Sequence, residues 1–171
     1  MSDLHLETYP RYSDYHLGRT DAPYIALLGD IGRVCDAGLF KLLRELMNHY
    51  DVVFFLLGNH EPYGCSFEQA RKSVARFERQ MAHLTNSSTL GKFVFLDQKR
   101  YGINSKVTIL GCTLFSHIAV EEMHEVGNIL NDFRRISDWT VHDHNEAHHK
   151  DVDWLNQSVM ASARPSRQGR L

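Results

Sequence analysis

Apolar positions in this chain come either as short solid runs or at spacings that mark one face of a helix. Tyr24–Leu28 is a solid run, and Asp51–Leu57 is a longer one rich in β-branched and aromatic side chains. Both predict strands buried on two faces. Between them Leu39, Leu42, Leu43, Leu46 and Met47 fall at i, i+3, i+4, i+7 and i+8, with Asp36 placed as an N-cap, which predicts an amphipathic helix. Ser66 and Gln69 have capping-box spacing. The helix they open would bury Phe67, Ala70, Val74, Phe77, Met81 and Leu84. A polar loop follows at 86–91, then strands at Lys92–Leu96 and Lys106–Phe115 joined near Tyr101 to Ser105. Strands alternating with helices predict an α/β fold with parallel strands.

The apolar runs end in polar clusters. Asp3 and His5 lie near the start of the chain, Gly29-Asp30 closes the first run, and Gly58-Asn59-His60-Glu61 closes the second. Carboxylate, imidazole and amide oxygen are ligands for a divalent cation of intermediate softness. The intervals between the clusters approximate the ~30 residues of a strand–helix–strand unit. Successive parallel strands would therefore carry them to one edge of a sheet, where open α/β folds build their sites. Taken singly, each cluster has a structural reading: a fraying terminus, a turn, a strand-end histidine. Their order and spacing favour a metal site.

On these residues the chain resembles the calcineurin-like metallophosphoesterases, a superfamily marked by D-x-H, G-D, G-N-H-[E/D], a later His and G-H-x-H. Asp3 with His5, Gly29 with Asp30, and Gly58 to Glu61 match the first three elements; lesser echoes run through Leu110 to Ser116 and Asp151 to Leu155. The resemblance implies hydrolysis of a phosphomonoester or phosphodiester at a two-metal site, with Mn, Fe or Zn as the divalent ions. Two cations ~3.5–4 Å apart generate a hydroxide and neutralise the attacked and leaving oxygens. It implies Asp30 as the bridging carboxylate, Asp3 and His5 as ligands of one metal, and Asn59 as ligand of the other. His60 would be the catalytic group that protonates the leaving oxygen or steadies the phosphate, since an imidazole titrates near working pH. Glu61 would orient His60 or a ligand. The implied fold is a four-layer αββα sandwich of two sheets flanked by helices.

The chain has no G-H-x-H and no histidine after His149. Only Met1 and Ser2 precede Asp3, too few for a first strand of the usual ~5–6 residues. These features predict residues 1–160 as one incomplete, truncated phosphoesterase domain and 161–171 as a disordered tail. They also predict exposed apolar edges at Tyr24–Leu28 and Asp51–Leu57, with aggregation and activity near background. The alternative function is a catalytically dead remnant that acts through binding or interaction.

Composition adds few constraints. The 171 residues are 43% apolar and 23% charged, with a net charge of −2 and a pI near 6.6. That is ordinary for one globular domain and gives no surface for nucleic acid. No apolar stretch reaches the ~18 residues of a membrane span. Cys35, Cys65 and Cys112 are an odd count without C-x-x-C spacing, which points to a reducing compartment, with cytoplasm as the default. The partner that the resemblance implies is a small-molecule or other phosphoester substrate. The run from His142 to Asp153 pairs His144 with His148 on one helical turn. It reads as a solvated face of a helix whose buried stripe holds Trp139, Val152 and Leu155, with a substrate-side role or a separate metal site as alternatives. His117 reads as a loop histidine.

Overall fold

The computed structural model describes residues 1–9, 12–15, 20–85 and 89–163. Strands β1 (Tyr24–Leu28), β2 (Val52–Leu56) and β3 (Lys92–Phe95) form a parallel sheet in that order, with Tyr24 opposite Val52 and Val52 opposite Lys92. Helices α1 (Ala37–Leu46) and α2 (Phe67–Thr85) make the crossovers. Alternation along the strands sends Ile25, Leu27, Val53, Phe55, Phe93 and Phe95 to one face. There they meet Leu39, Leu43, Ala70, Val74 and Met81 from the two helices. Each fully buried side chain of this size contributes about 1.5–3 kcal/mol. Val52, Phe54, Val94 and Leu96 face the other way, against Tyr101 and Ile109. These two come from an antiparallel pair, β4 (Lys99–Gly102) and β5 (Thr108–Gly111). The class is mixed α/β.

The start of α2 follows the sequence: Ser66 Oγ accepts the Gln69 N–H at 3.2 Å, and Gln69 Oε1 accepts the Ser66 N–H at 2.9 Å. Asp36 precedes α1, but its carboxylate makes no cap. It instead takes two bonds from the Arg33 guanidinium at 3.1 Å and one from the Tyr12 hydroxyl at 3.0 Å. Leu84, expected in the core, is 39% exposed. The expected strand 106–115 shortens to Thr108–Gly111, because from Cys112 onward the chain leaves β4 for contacts with the last helix. Of the expected loop at 86–91, residues 86–88 lie outside the described residues, as does 164–171 of the expected tail.

Two expectations about edges are corrected. β2 is the central strand, paired on both sides, so Asp51–Leu57 is no free edge. Met1 and Ser2, expected as too short for a strand, form none, but residues 1–6 lie along the end of β1 and partly cover the edge expected to be free. The Met1 ammonium donates to the Ala26 carbonyl at 2.7 Å, and the Leu28 N–H donates to the Met1 carbonyl at 2.7 Å. The N–H groups of Asp3, His5 and Leu6 then donate to the carbonyls of Gly29, Asp30 and Ile31 at 3.1, 2.9 and 3.0 Å. Fully buried Leu6 anchors the segment. β1 still leaves Tyr24 and Leu28 exposed on the hairpin side.

Beyond β5 come α3 (Met123–Ile129), the single turn α4 (Asp132–Arg135) and the long α5 (Val141–Ala163). Against expectation, the buried positions of α5 are polar: His144, Asn145, Asp151 and Ser158. All but Ser158 bond to the backbone of an irregular stretch at 114–118. Asp151 Oδ2 accepts the Leu114 N–H at 2.8 Å and Asp151 Oδ1 the Gln98 amide at 2.8 Å. Asn145 accepts from the Ile118 N–H at 2.9 Å and donates to its carbonyl at 2.8 Å. His144 Nε2 donates to the Ser116 carbonyl at 2.8 Å, and His148 Nδ1 to that of Phe115 at 2.5 Å. A backbone without ladder partners needs such groups, which accounts for His144 and His148, whereas His142 and His149 are exposed. His117 is exposed, in ring contact with His148 and His149. Among the described residues, no helix is long and apolar enough to cross a membrane.

Candidate metal centre

The ends of β1 and β2 meet through glycine. Gly29 has φ +84°, and a Cβ there would lie 2.8 Å from the Gly58 Cα and 2.9 Å from its nitrogen. A Cβ on Gly58 would strike the Asp30 carboxylate. Only two bare backbones allow the strand ends this close. Asp3, His5 and Asp30 adopt φ of 57°, 48° and 54°, three of the six non-glycine positions with positive φ among the described residues. Such a conformation costs on the order of 1–3 kcal/mol each and persists where surrounding contacts over-determine it.

Those contacts run through Glu61, whose side chain is fully buried. Its Oε1 accepts the N–H of Ile31 at 2.7 Å and of Gly32 at 3.4 Å; its Oε2 accepts those of Gly58 at 2.7 Å and Asp30 at 3.1 Å. Burial pushes the Glu61 carboxyl above its ordinary range, against the pull of these donors from Ile31, Gly58 and Asp30. Glu61 thus organises the loop that presents Asp30, and among the described residues its carboxylate makes hydrogen bonds to backbone N–H groups and not to an imidazole. Asp30 Oδ1 in turn accepts the His60 N–H at 3.0 Å.

The result brings His5, Asp30 and His60 together, each half-buried, with ligand atoms within 4.8 Å of one another. The Nδ1 atoms of His5 and His60 are 3.1 Å apart. Asn59 donates from Nδ2 to Asp132 Oδ1 at 2.8 Å and to the Tyr63 hydroxyl at 3.3 Å. Tyr63 itself donates to Asp132 at 2.6 Å. Because a carboxylate only accepts, this network fixes which end of the Asn59 amide is nitrogen and leaves Oδ1 as the accepting end. Burial, with the Asp132 bond second, pushes the Tyr63 hydroxyl up, so it stays a donor. Asp3 is exposed and contributes no atom to the three-residue cluster.

Three residues of the site were absent from the sequence reading. Asp132 and Tyr63 are the partners of Asn59, and Asp132 lies far along the chain. Glu7 is the third: its Oε1 is 2.8 Å from His60 Nδ1 and 3.4 Å from His5 Nδ1, and its side chain is 8% exposed. Burial pushes the Glu7 carboxyl up, but the His60 bond, its own backbone N–H and the His5 bond together outweigh that and leave it below the ordinary carboxylate range. The one sequence signal was the alternation His5-Leu6-Glu7 around an apolar residue.

No family model and no solved structure matches the chain. It is similar, at 24% identity over 182 residues, to a protein of Acanthamoeba polyphaga mimivirus named "Uncharacterized protein L509". The alignment takes in 96% of this chain and 63% of the viral protein, so the chain spans just under two thirds of that relative's length.

Proposed function

We propose that this chain is a metal-dependent phosphoesterase of the calcineurin-like type, acting on a phosphomonoester or phosphodiester. The observation that carries the reading is the convergence of His5, Asp30 and His60, one from each of three sequence clusters, at one end of the parallel sheet. Two imidazoles and a carboxylate suit Mn²⁺, Fe²⁺ or Zn²⁺, and their half-exposed position leaves room for water and substrate. Asp30 and His5 would hold the cation, with the Asn59 oxygen beside them; a bound divalent ion supplies a nucleophilic hydroxide and charge neutralisation at phosphorus. His60 bonds to the phosphate or hands a proton to the leaving oxygen. Glu61 keeps Asp30 in place through the backbone.

Calorimetric titration with Mn²⁺, paired with hydrolysis of bis(p-nitrophenyl) phosphate, tests this. The parent chain binds the ion and releases nitrophenol; Asp30→Asn loses at least tenfold in both. Equal binding by the parent and Asp30→Asn removes the assignment.

A second reading, a protein that binds metal without turnover, is favoured by one observation. Among the described residues the cluster draws only on positions 5 to 60, a smaller ligand set than a two-metal site needs. Binding of one ion per chain without nitrophenol release selects it.

A further inference from the structure

The proposed metal centre leaves Glu7 without a role, although its carboxylate is within hydrogen-bond reach of both histidines. Its Oε1 is a normal hydrogen-bond distance, 2.8 Å, from His60 Nδ1, and 3.4 Å from His5 Nδ1. The two Nδ1 atoms stand 3.1 Å apart, so both N–H groups reach this one oxygen as a forked pair, with His60 the stronger donor and His5 the weaker. The other oxygen, Oε2, is buried without a partner. Burying a carboxylate is costly unless it is matched by donors; the two imidazoles supply them to Oε1, and a rigid mount holds Glu7 in place. It sits in the short turn Leu6–Thr8, whose first residue is fully buried and whose ends are closed by the Thr8 N–H and hydroxyl on the His5 carbonyl at 3.0 and 2.7 Å.

A neutral imidazole carries one proton, and the nitrogen that donates to a carboxylate keeps it. A carboxylate on Nδ1 thus fixes the ring as the Nδ1–H tautomer and frees the Nε2 lone pair, the arrangement by which carboxylates orient metal-binding histidines. We propose that Glu7 is the positioning carboxylate of the centre. It holds His5 and His60 by their Nδ1 atoms and presents both Nε2 atoms for chemistry, that of His5 to the cation and that of His60 to the phosphate. Asp30 lies across the cluster and bonds the His60 backbone rather than its ring, so Glu7 is the carboxylate with this reach to both rings. The assignment to cation and phosphate rests on the proposed function; the tautomers do not.

Histidine ¹⁵N spectra of the metal-free 171-residue protein at pH 8, with His5 and His60 resonances assigned by His5→Gln and His60→Gln, read the tautomers directly. Both rings show a protonated Nδ1 and a pyridine-like Nε2 in the parent. In Glu7→Gln, whose amide both donates and accepts, at least one ring changes tautomer. Mn²⁺ affinity by calorimetry falls 10–100-fold, the usual cost of removing such a partner, while the metal-free melting temperature moves little. Glu7→Asp, which keeps the charge, retains part of the affinity; equal loss in both variants marks a packing role and overturns the proposal. Nε2–H tautomers in the parent, or spectra and affinity unchanged in Glu7→Gln, overturn it as well. A parent chain with the stated tautomers and no Mn²⁺ affinity removes the metal reading while leaving Glu7 as the orienting group.

Discussion

Glu61 receives the backbone N–H of Ile31 at 2.7 Å across thirty residues of chain, and through that bond the end of β2 sets the shape of the end of β1. Removing the side chain orphans buried donors on both loops. An unmet buried donor costs ~1–3 kcal/mol, so Glu61→Ala is expected to lower the unfolding free energy by about 3–5 kcal/mol. Glu61→Gln, which turns an NH₂ toward those donors, is expected to cost about 2 kcal/mol. Urea denaturation measures both, and a loss below 1 kcal/mol for Glu61→Ala contradicts the bracing role.

Gly58→Ala places a methyl group where the Asp30 carboxylate stands. Either the strand ends separate or Asp30 swings away and gives up the His60 N–H. Overpacking of this kind costs ~1–3 kcal/mol, and the displaced ligand is expected to weaken Mn²⁺ binding at least tenfold. A crystal structure of the variant with Asp30 unmoved, or unchanged calorimetry, is the contrary result.

Leu6 ties the N-terminal segment to the core between two site residues. Leu6→Ala is expected to cost about 2–5 kcal/mol, the range for emptying a buried leucine site. It is also expected to accelerate amide exchange at Asp3, His5 and Leu6, whose N–H groups bond to the loop after β1. Exchange at these three as slow as in the parent argues that the segment is held by its hydrogen bonds alone.

Burial pushes the His144 imidazole below its ordinary range, outweighing the pull of the Ser116 carbonyl and Asp132, while His148 and His117 push it the same way as burial. The folded form therefore prefers the neutral ring. Its contribution to stability is whole above the unfolded value of about 6.5 and declines as pH falls through the depressed folded value, because the unfolded chain binds the proton more readily. Urea midpoints are expected to drop from pH 7.5 to 5.5, and to drop less in His144→Gln. Parallel pH profiles for the two proteins refute this.

The sequence carried the parts of the fold governed by local pattern. The runs at Tyr24 and Val52, the 3.6-residue stripes of α1 and α2 and the capping box at Ser66 all depend on neighbours within a few positions, and each formed, with Tyr24, Leu28 and Leu84 at the element ends left exposed. What stayed hidden depends on distant partners. Asn59 is oriented by Asp132, and Asp36 by Tyr12. No spacing rule links such pairs. Glu7 was passed over because a carboxylate near a terminus is ordinarily solvated, and only the burial of Leu6 brings it inside. The histidines of α5 misled for the same reason: a polar helical face normally meets water, and here it meets an unladdered backbone.

That polar face has a mechanical consequence. A helix seated on a greasy surface can creep along it, since one methyl contact replaces another at little cost. α5 is addressed residue by residue to Leu114, Phe115, Ser116 and Ile118, and a shift of one turn, ~5.4 Å, breaks every match at once. The helix is thereby keyed to a single position, engaged or released as a unit, with no intermediate seating in which part of the correspondence survives.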